Sequence, residues 1–232
     1  MDRLVAVIPA KAKSERLPGK NERLFAGKPL IQHTIEQALK SKEVDKVYVS
    51  TDSEEIADIS RNLGAEVPFM RPPELSNSDV HSVVPVLHLL EKINAVKNFD
   101  YVMALLPTCP LREVHQINEI AKLAKMSACN VLSVVDTGKT EYHLKMIDKL
   151  GHLTSLVGEP PINFQHGGDS RRVFSLNASC YCGPLINIFR NKSFHCEKSK
   201  GYIMDEITGM DIDTLEQFEI AEALFKMRNQ NK

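Results

Sequence analysis

The stretch Val7 to Asn21, VIPAKAKSERLPGKN, gathers cations, a hydroxyl and a glycine directly after a short apolar run, Leu4 to Ile8. Lys11, Lys13, Arg16 and Lys20 carry enough charge to neutralise several phosphates, Ser14 adds a donor, and Gly19 gives backbone room for close approach. A strand that empties into such a loop puts N–H and ammonium groups at the carboxyl edge of a parallel sheet, where open α/β folds bind ligands. The same composition also suits a solvated surface loop. Neither the G-x-x-x-x-G-K-[ST] loop nor the G-x-G-x-x-G fingerprint is present. Far along the chain, MDIDT, Met210 to Thr214, sets two carboxylates two residues apart. In extended backbone Asp211 and Asp213 share one side, a hard-oxygen pair suited to Mg²⁺. Alternatively, Asp213 and Thr214 only cap the helix that follows.

These residues need elements to hold them. After Pro29, the residues Leu30, Ile31, Thr34, Ile35, Ala38 and Leu39 recur at helical spacing. Val44 to Asp52 reads as a buried strand, with Asp52 or Ser53 capping a helix that ends near Leu63 and Gly64. Glu66 to Phe69 reads as a third strand, and the two prolines of RPPELSNSDVHS hold Arg71 to Ser82 extended and exclude helix there. A helix through Val83, Val84, Leu87, Leu90 and Ile93 starts near Asp79 and Ser82. Tyr101 to Leu106 is a central strand by its near-continuous apolar character. A helix from Val114 to Met126 follows, then a strand from Asn130 to Val135, a hairpin-like excursion around Gly151, and an irregular stretch from Gly158 to Arg172. Thr214 and Gln217 open the last helix as a capping box, with Leu215, Phe218, Ala221 and Phe225 as its apolar face. Alternating strands and helices predict an α/β fold with a doubly wound, mostly parallel sheet in one domain over 1–232.

Composition narrows the partners. Lys+Arg 29 against Asp+Glu 30 gives a net charge of -1, so no global basic field points to nucleic acid or an acidic membrane. Any anion site must be local. Five cysteines in no zinc-like spacing, with no N-terminal signal peptide, lead us to expect a reduced cytoplasmic setting. No stretch approaches the roughly 18 apolar residues of a membrane span.

The frame Ala10, Lys11, Ser14, Arg16, Leu17, Pro18, Lys20, Asn21 resembles the A-R-x-x-S-x-R-L-P-x-K-N signature of the cytidylyltransferases that activate 2-keto sugar acids. These are the acylneuraminate (CMP-sialic acid) synthetases and their Kdo-activating relatives. Four further segments resemble that family in order: R-P-x-x-L-[AS] at Arg71, P-T-C-P-L-R at Pro107, N-x-x-x-Y at Asn177, and the aspartate pair. The resemblance implies a Rossmann-like nucleotidyltransferase fold and transfer of CMP from CTP to an acidic keto-sugar. It assigns phosphate catalysis to Lys20, Lys11 and Arg16, and nucleotide binding to Ala10, Lys11, Ser14, Lys20, Asn21, Arg71 and Ser82. It assigns sugar-acid binding to Thr108, Arg112, Lys145, Asn177 and Tyr181, and Mg²⁺ to Asp211 and Asp213. It also implies a homodimer built through an excursion at 138–175.

Several positions depart from the family pattern. Lys11 stands for Arg, keeping charge but losing the bidentate fork. Leu106 stands for Gln, Ser175 for Arg and Ala178 for Gly, so polar recognition on the sugar side changes. Arg171 or Arg172 is a candidate to fill the space left at Ser175. Cys109, where the family has Ser, lacks a His or Asp partner and reads as a small packed residue. The competing readings are a nucleotide-binding homologue that has lost transfer and a transferase for a non-sialic acidic acceptor. The G-x-G-T-R-L loop of other sugar-nucleotide transferases is missing.

Overall fold

The computed structural model describes residues 2–158 and 171–230. In chain order the strands are β1 (Leu4–Pro9), β2 (Leu24–Phe25), β3 (Lys28–Pro29), β4 (Lys46–Ser50), β5 (Tyr101–Leu105), β6 (Val131–Thr140), β7 (Lys145–Ile147), β8 (Leu153–Ser155), β9 (Arg172–Pro184) and β10 (Lys200–Met204). The α-helices are α1 (Leu30–Lys40), α2 (Glu54–Asn62), α3 (Val83–Lys92), α4 (Val114–Ser127), α5 (Leu185–Asn191) and α6 (Leu215–Gln230). Six strands form the main sheet in the order β10-β6-β9-β5-β1-β4. The pairs β1/β4, β1/β5 and β6/β10 are parallel, while β9 runs antiparallel between β5 and β6.

The alternation of side chains along β1 explains the layering. Leu4, Ala6 and Ile8 pack with α1, α2 and α4 on one face, whereas Val5 and Val7 pack with α3 and α5 on the other. Helices on both faces bury both, hence the near-continuous apolar strands. The crossover through α1 leads outward to β4, and the crossover through α2 and α3 returns past β1 to β5. The strand order therefore reverses between β1 and β5, the switch point where such sheets bind ligands. This is the doubly wound, mostly parallel sheet that the alternation predicted.

Three local readings are corrected. Glu66–Phe69 is no strand: Glu66 makes a single parallel bridge to Tyr48, and Pro68 lacks the N–H that the next pair would require. The segment after Arg71 is not wholly extended, since Pro73–Ser76 forms a short 3₁₀ turn with Pro73 at its first position, where an N–H is dispensable. Leu39 and Leu215, read as apolar-face residues, are both exposed, each at the edge of its stripe. The capping box is present: Thr214 Oγ1 accepts from the Gln217 N–H at 3.3 Å, and Gln217 Oε1 accepts from the Thr214 N–H at 3.0 Å.

The excursion is a separate β7/β8 hairpin that turns at Gly151 (φ +87°). Part of the 138–175 segment, including Pro160, Pro161, Gly167 and Gly168, lies outside the described residues. Arg172 pairs with Asp136, and Arg171 with Glu141 at 3.4 Å, so neither arginine turns toward the place left by Ser175.

Near the carboxyl edge, Ala178 sits at φ +53°, which explains why a glycine would be preferred there. An L-residue in this region costs about 1–2 kcal/mol, and glycine's extra unfolded-state entropy returns roughly half of that. Ala178→Gly is therefore expected to raise the melting temperature by about 2 °C, measured by calorimetry. At Gly209 the reverse holds, because an added Cβ would come within 2.7 Å of Asn177 Nδ2 and 3.0 Å of the Asp205 carbonyl. Gly209→Ala is expected to lower stability by roughly 1–3 kcal/mol in the same measurement.

Candidate active site

The loop after β1 folds as it does because its apolar and polar residues find different partners. Leu17 drops into a cluster with Phe25, Leu30, Leu111, Ile212 and Phe218, which anchors the loop above α1 and α6. Gly19, at φ +65°, makes the turn whose carbonyl accepts from the N–H groups of Glu22 and Arg23 at 3.1 and 3.0 Å. A Cβ there would meet nothing within 4 Å, so glycine serves the left-handed turn and not a close backbone approach. Asn21 Nδ2 donates to the Lys11 carbonyl at 3.0 Å and closes the loop on itself.

Lys20 is only 7 % exposed. Its ammonium donates to the Ile212 carbonyl at 2.6 Å and lies 3.4 Å from Asp213 Oδ1, while Arg16 pairs with Asp213 Oδ2 at 2.8 Å. The first and last motifs, nearly two hundred residues apart in sequence, thus meet through three contacts. Opposite them, Arg71 is buried, its Nε donating to Ser76 Oγ at 2.9 Å and its Nη2 to Asp52 Oδ1 at 3.1 Å.

Between these walls lies a cavity of about 270 Å³ above the ends of β1 and β5. Of the residues the sequence singled out, Lys11, Ser14, Arg16, Lys20, Asn21, Arg71, Ser82, Thr108 and Asp213 line it. Ser82 stands at the N-cap of α3 without spending its hydroxyl on the helix, so that hydroxyl is left to the cavity. Ala10 is buried, its N–H bonded to the Ser50 carbonyl at 2.9 Å. Leu106 and Pro107 supply an apolar stretch of wall.

The remaining candidates sit elsewhere. Arg112 is 2 % exposed and does not line this cavity. Its guanidinium donates to the Ser179 carbonyl and, at 3.1 Å each, to Thr34 Oγ1 and Gln37 Oε1, bracing the loop after β5 against α1 and β9. Asn177 is likewise buried and donates to the Gly209 carbonyl at 3.1 Å. The Tyr181 hydroxyl accepts from the Ala178 N–H at 3.1 Å, while burial pushes its pKa up to about 12. Lys145 belongs to the β7/β8 hairpin, where its ammonium donates to Ser155 Oγ at 2.7 Å. Cys109 is a packed residue: fully buried, its thiol donates to the Asn177 carbonyl at 3.4 Å, and burial lifts its pKa to about 12.

Asp211 and Asp213 flank the fully buried Ile212, whose N–H is tied to the Thr108 carbonyl at 2.8 Å. Asp211 Oδ1 and Thr108 Oγ1 are both buried without a hydrogen-bond partner. Burial above all, reinforced by the charge of Asp213, holds the Asp211 carboxyl above the usual range, despite the nearby charges of Lys20 and Arg16. An orphaned carboxylate oxygen beside a second carboxylate fits a hard divalent cation that takes its remaining ligands from water and phosphate. Among the described residues no group of three or more His, Cys, Asp and Glu could hold a metal.

Sequence reasoning missed Asp52. It was one of two candidate caps for α2, but Ser53 fills that role by accepting from the Ile56 N–H at 3.2 Å. Asp52 instead accepts from the Ala12 N–H at 2.9 Å and from Arg71. The adjacent serine, a sufficient cap by itself, was the signal that the aspartate was free for other work. Asn77 and Ser78, on the wall after Arg71, were also missed, because nothing in their local pattern distinguishes them from an ordinary polar turn.

Comparison with known proteins fits this geometry. A family model described as cytidylyltransferase matches residues 5–140. The CMP-N,N'-diacetyllegionaminic acid synthase of Legionella pneumophila is 37% identical over 235 residues, covering 98% of each chain. An N-acylneuraminate cytidylyltransferase of Escherichia coli is 29% identical across 99% of this chain and 54% of its own length. In structure, a CMP:2-keto-3-deoxy-manno-octonic acid synthetase complexed with CTP superposes with a TM-score of 0.70 at 18% identity, covering 97% of this chain and 99% of that one, a likeness of fold. On the match over more than half its length and the full-length likeness to the Legionella enzyme, this chain belongs to the cytidylyltransferase family of nucleotidyltransferases.

Proposed function

We propose that the enzyme transfers CMP from CTP to a nonulosonic acid of the legionaminic type, releasing pyrophosphate. The observation that carries this reading is a single cavity at the β1/β5 switch point, bordered by Lys11, Arg16, Lys20 and Arg71 on its polar side and by Leu106 on its apolar side. The acceptor class is supported by a relative matched over nearly the full length of both chains, a CMP-N,N'-diacetyllegionaminic acid synthase. It is supported too by Leu106, which offers no hydrogen bond where an N-acetylneuraminate site would use one.

In this reaction the acceptor's anomeric hydroxyl attacks the α-phosphorus in line, the bond from that phosphorus to the bridging oxygen breaks, and pyrophosphate leaves. Such chemistry depends on positioning and on neutralising charge. Lys20, held on a short leash by Ile212 and Asp213, meets the charge developing on the phosphates without having to reorganise. Lys11 and Arg16 share the phosphate charge, and Arg71, Asn21, Ser14 and Ser82 orient the nucleoside end. Asp211 and Asp213 would hold Mg²⁺, which when bound neutralises phosphate oxygens and lowers the pKa of the attacking hydroxyl.

We also infer that the enzyme works as a homodimer in the cytoplasm. Ile147, Leu150 and Leu153 on the β7/β8 hairpin are 71%, 81% and 69% exposed, an apolar surface that a second copy of the excursion would cover. All five cysteines are free, in keeping with a reducing compartment. Among the described residues no helix is long and apolar enough to cross a membrane.

Pyrophosphate release with CTP and Mg²⁺ across N,N'-diacetyllegionaminate, pseudaminate, N-acetylneuraminate and Kdo tests the assignment. Turnover is expected with the legionaminate, and silence with all four acids would refute it. Lys20→Ala and Asp211→Asn are each expected to lower kcat by about 10²–10³ with the fold retained, as judged by circular dichroism. Leu106→Gln is expected to improve kcat/KM for N-acetylneuraminate relative to the legionaminate. Replacing Ile147 and Leu153 together by Glu is expected to halve the mass seen by light scattering.

A further inference from the structure

Asp52 stands one step behind the cavity wall, at the point where β4 ends. Its Oδ1 accepts from the Ala12 N–H of the cationic loop at 2.9 Å and from Arg71 Nη2 of the facing wall at 3.1 Å. Neighbouring groups of the same turn bind the same two walls. The Ser50 carbonyl accepts from the Ala10 N–H at 2.9 Å, and Ser53 Oγ donates to Glu22 Oε1 at 2.9 Å on the loop side. On the other side, the Thr51 carbonyl accepts from the Arg71 N–H at 2.7 Å. Backbone bonds thus set where each wall begins, but among the described residues only Asp52 joins the loop to the Arg71 guanidinium.

The Arg71 side chain is 3% exposed, and its guanidinium is gripped by Ser76 and Asp52 alone among hydrogen-bond partners of the described residues. A buried guanidinium without a counter-charge is costly, and its planar fork transmits the position of its carboxylate partner to whatever else it touches. Burial by itself would raise the Asp52 carboxyl, yet the Ala12 N–H and Arg71 outweigh it and hold the group below the usual carboxylate range.

We propose that Asp52 is a positioning residue for the nucleotide: one carboxylate oxygen fixes the phosphate-facing loop and Arg71 at a set separation, so the CTP cavity is formed before CTP arrives. The inference rests on the cytidylyltransferase reading. Asp52 touches no substrate; it removes an ordering cost that binding would otherwise bear.

The test is CTP affinity by titration calorimetry, with steady-state kinetics, on the wild type, Asp52→Ala, Asp52→Asn, Arg71→Ala and the Asp52→Ala/Arg71→Ala pair. Asp52→Ala is expected to raise Kd and KM for CTP about tenfold, about 1.4 kcal/mol, with kcat within about threefold of the wild type. Asp52→Asn keeps an acceptor for the Ala12 N–H but loses the charge, so an increase of about threefold is expected. In the Arg71→Ala background, Asp52→Ala should cost less than about threefold more, because most of its effect runs through that side chain. A folded Asp52→Ala enzyme with wild-type CTP affinity overturns the proposal, as does full additivity in the double variant. If Asp52→Ala fails to fold, wild-type affinity in Asp52→Asn overturns it equally. A wild-type enzyme that binds no CTP overturns the cytidylyltransferase reading instead.

Discussion

A buried ammonium must find partners within the protein, and Lys20 finds them on the last motif of the chain. Its bonds to the Ile212 carbonyl and Asp213 offset the desolvation of the charge and commit the loop after β1 to lie against the segment before α6. The apolar side of the same joint is Leu17 and Ile212 in one cluster with Phe25 and Phe218. Fixing the loop from both sides leaves Lys11, Arg16 and Lys20 directed into one cavity, although mutual repulsion would otherwise scatter them. The two ends of the sequence become one wall.

The antiparallel β9, inserted between β5 and β6, extends this arrangement. Because it runs against its neighbours, its early residues reach the carboxyl edge, where Asn177 to Ser179 stand beyond Leu105. Arg112 is spent on the Ser179 carbonyl, Thr34 and Gln37, holding β9, the loop after β5 and α1 in register. An arginine that pattern alone would send to a ligand here holds the scaffold that frames one. Its buried charge is matched to carbonyl and hydroxyl oxygens rather than to a carboxylate, so the brace works through geometry as much as through charge.

The two sides of the cavity differ in chemistry. The loop side carries several cations, a surface suited to phosphate, whereas Leu106 presents only methyl groups. Apolar pockets discriminate between close analogues by about 10–200-fold, while hydrogen-bonded ones reject an analogue that lacks a partner by far more. Under the proposed function, a change at this position would bear on acceptor choice and leave the cationic side of the cavity as it is. The same reasoning applies to Lys11, which keeps the attraction of a cation without the planar fork of an arginine.

Much of this was legible in one dimension. Alternating apolar runs and amphipathic helices determined the doubly wound sheet, because strands buried on both faces and helices with one apolar stripe have few other ways to pack. Cations and small residues after the first strand, and two carboxylates at a spacing of two, pointed to phosphate and a divalent cation as the kinds of ligand to expect, since charge and periodicity are local properties. Only the tertiary structure decided which of those groups share a cavity. Arg71 and Lys20 face it, while Arg112, just as basic and just as close to a strand end, turns inward because three oxygens from α1 and β9 are within its reach. It also decided that Pro68 ends a strand before it starts, and that Asp52 and not its neighbour bridges two walls. Those outcomes depend on distances between segments tens to hundreds of residues apart, which no local pattern of residue types contains.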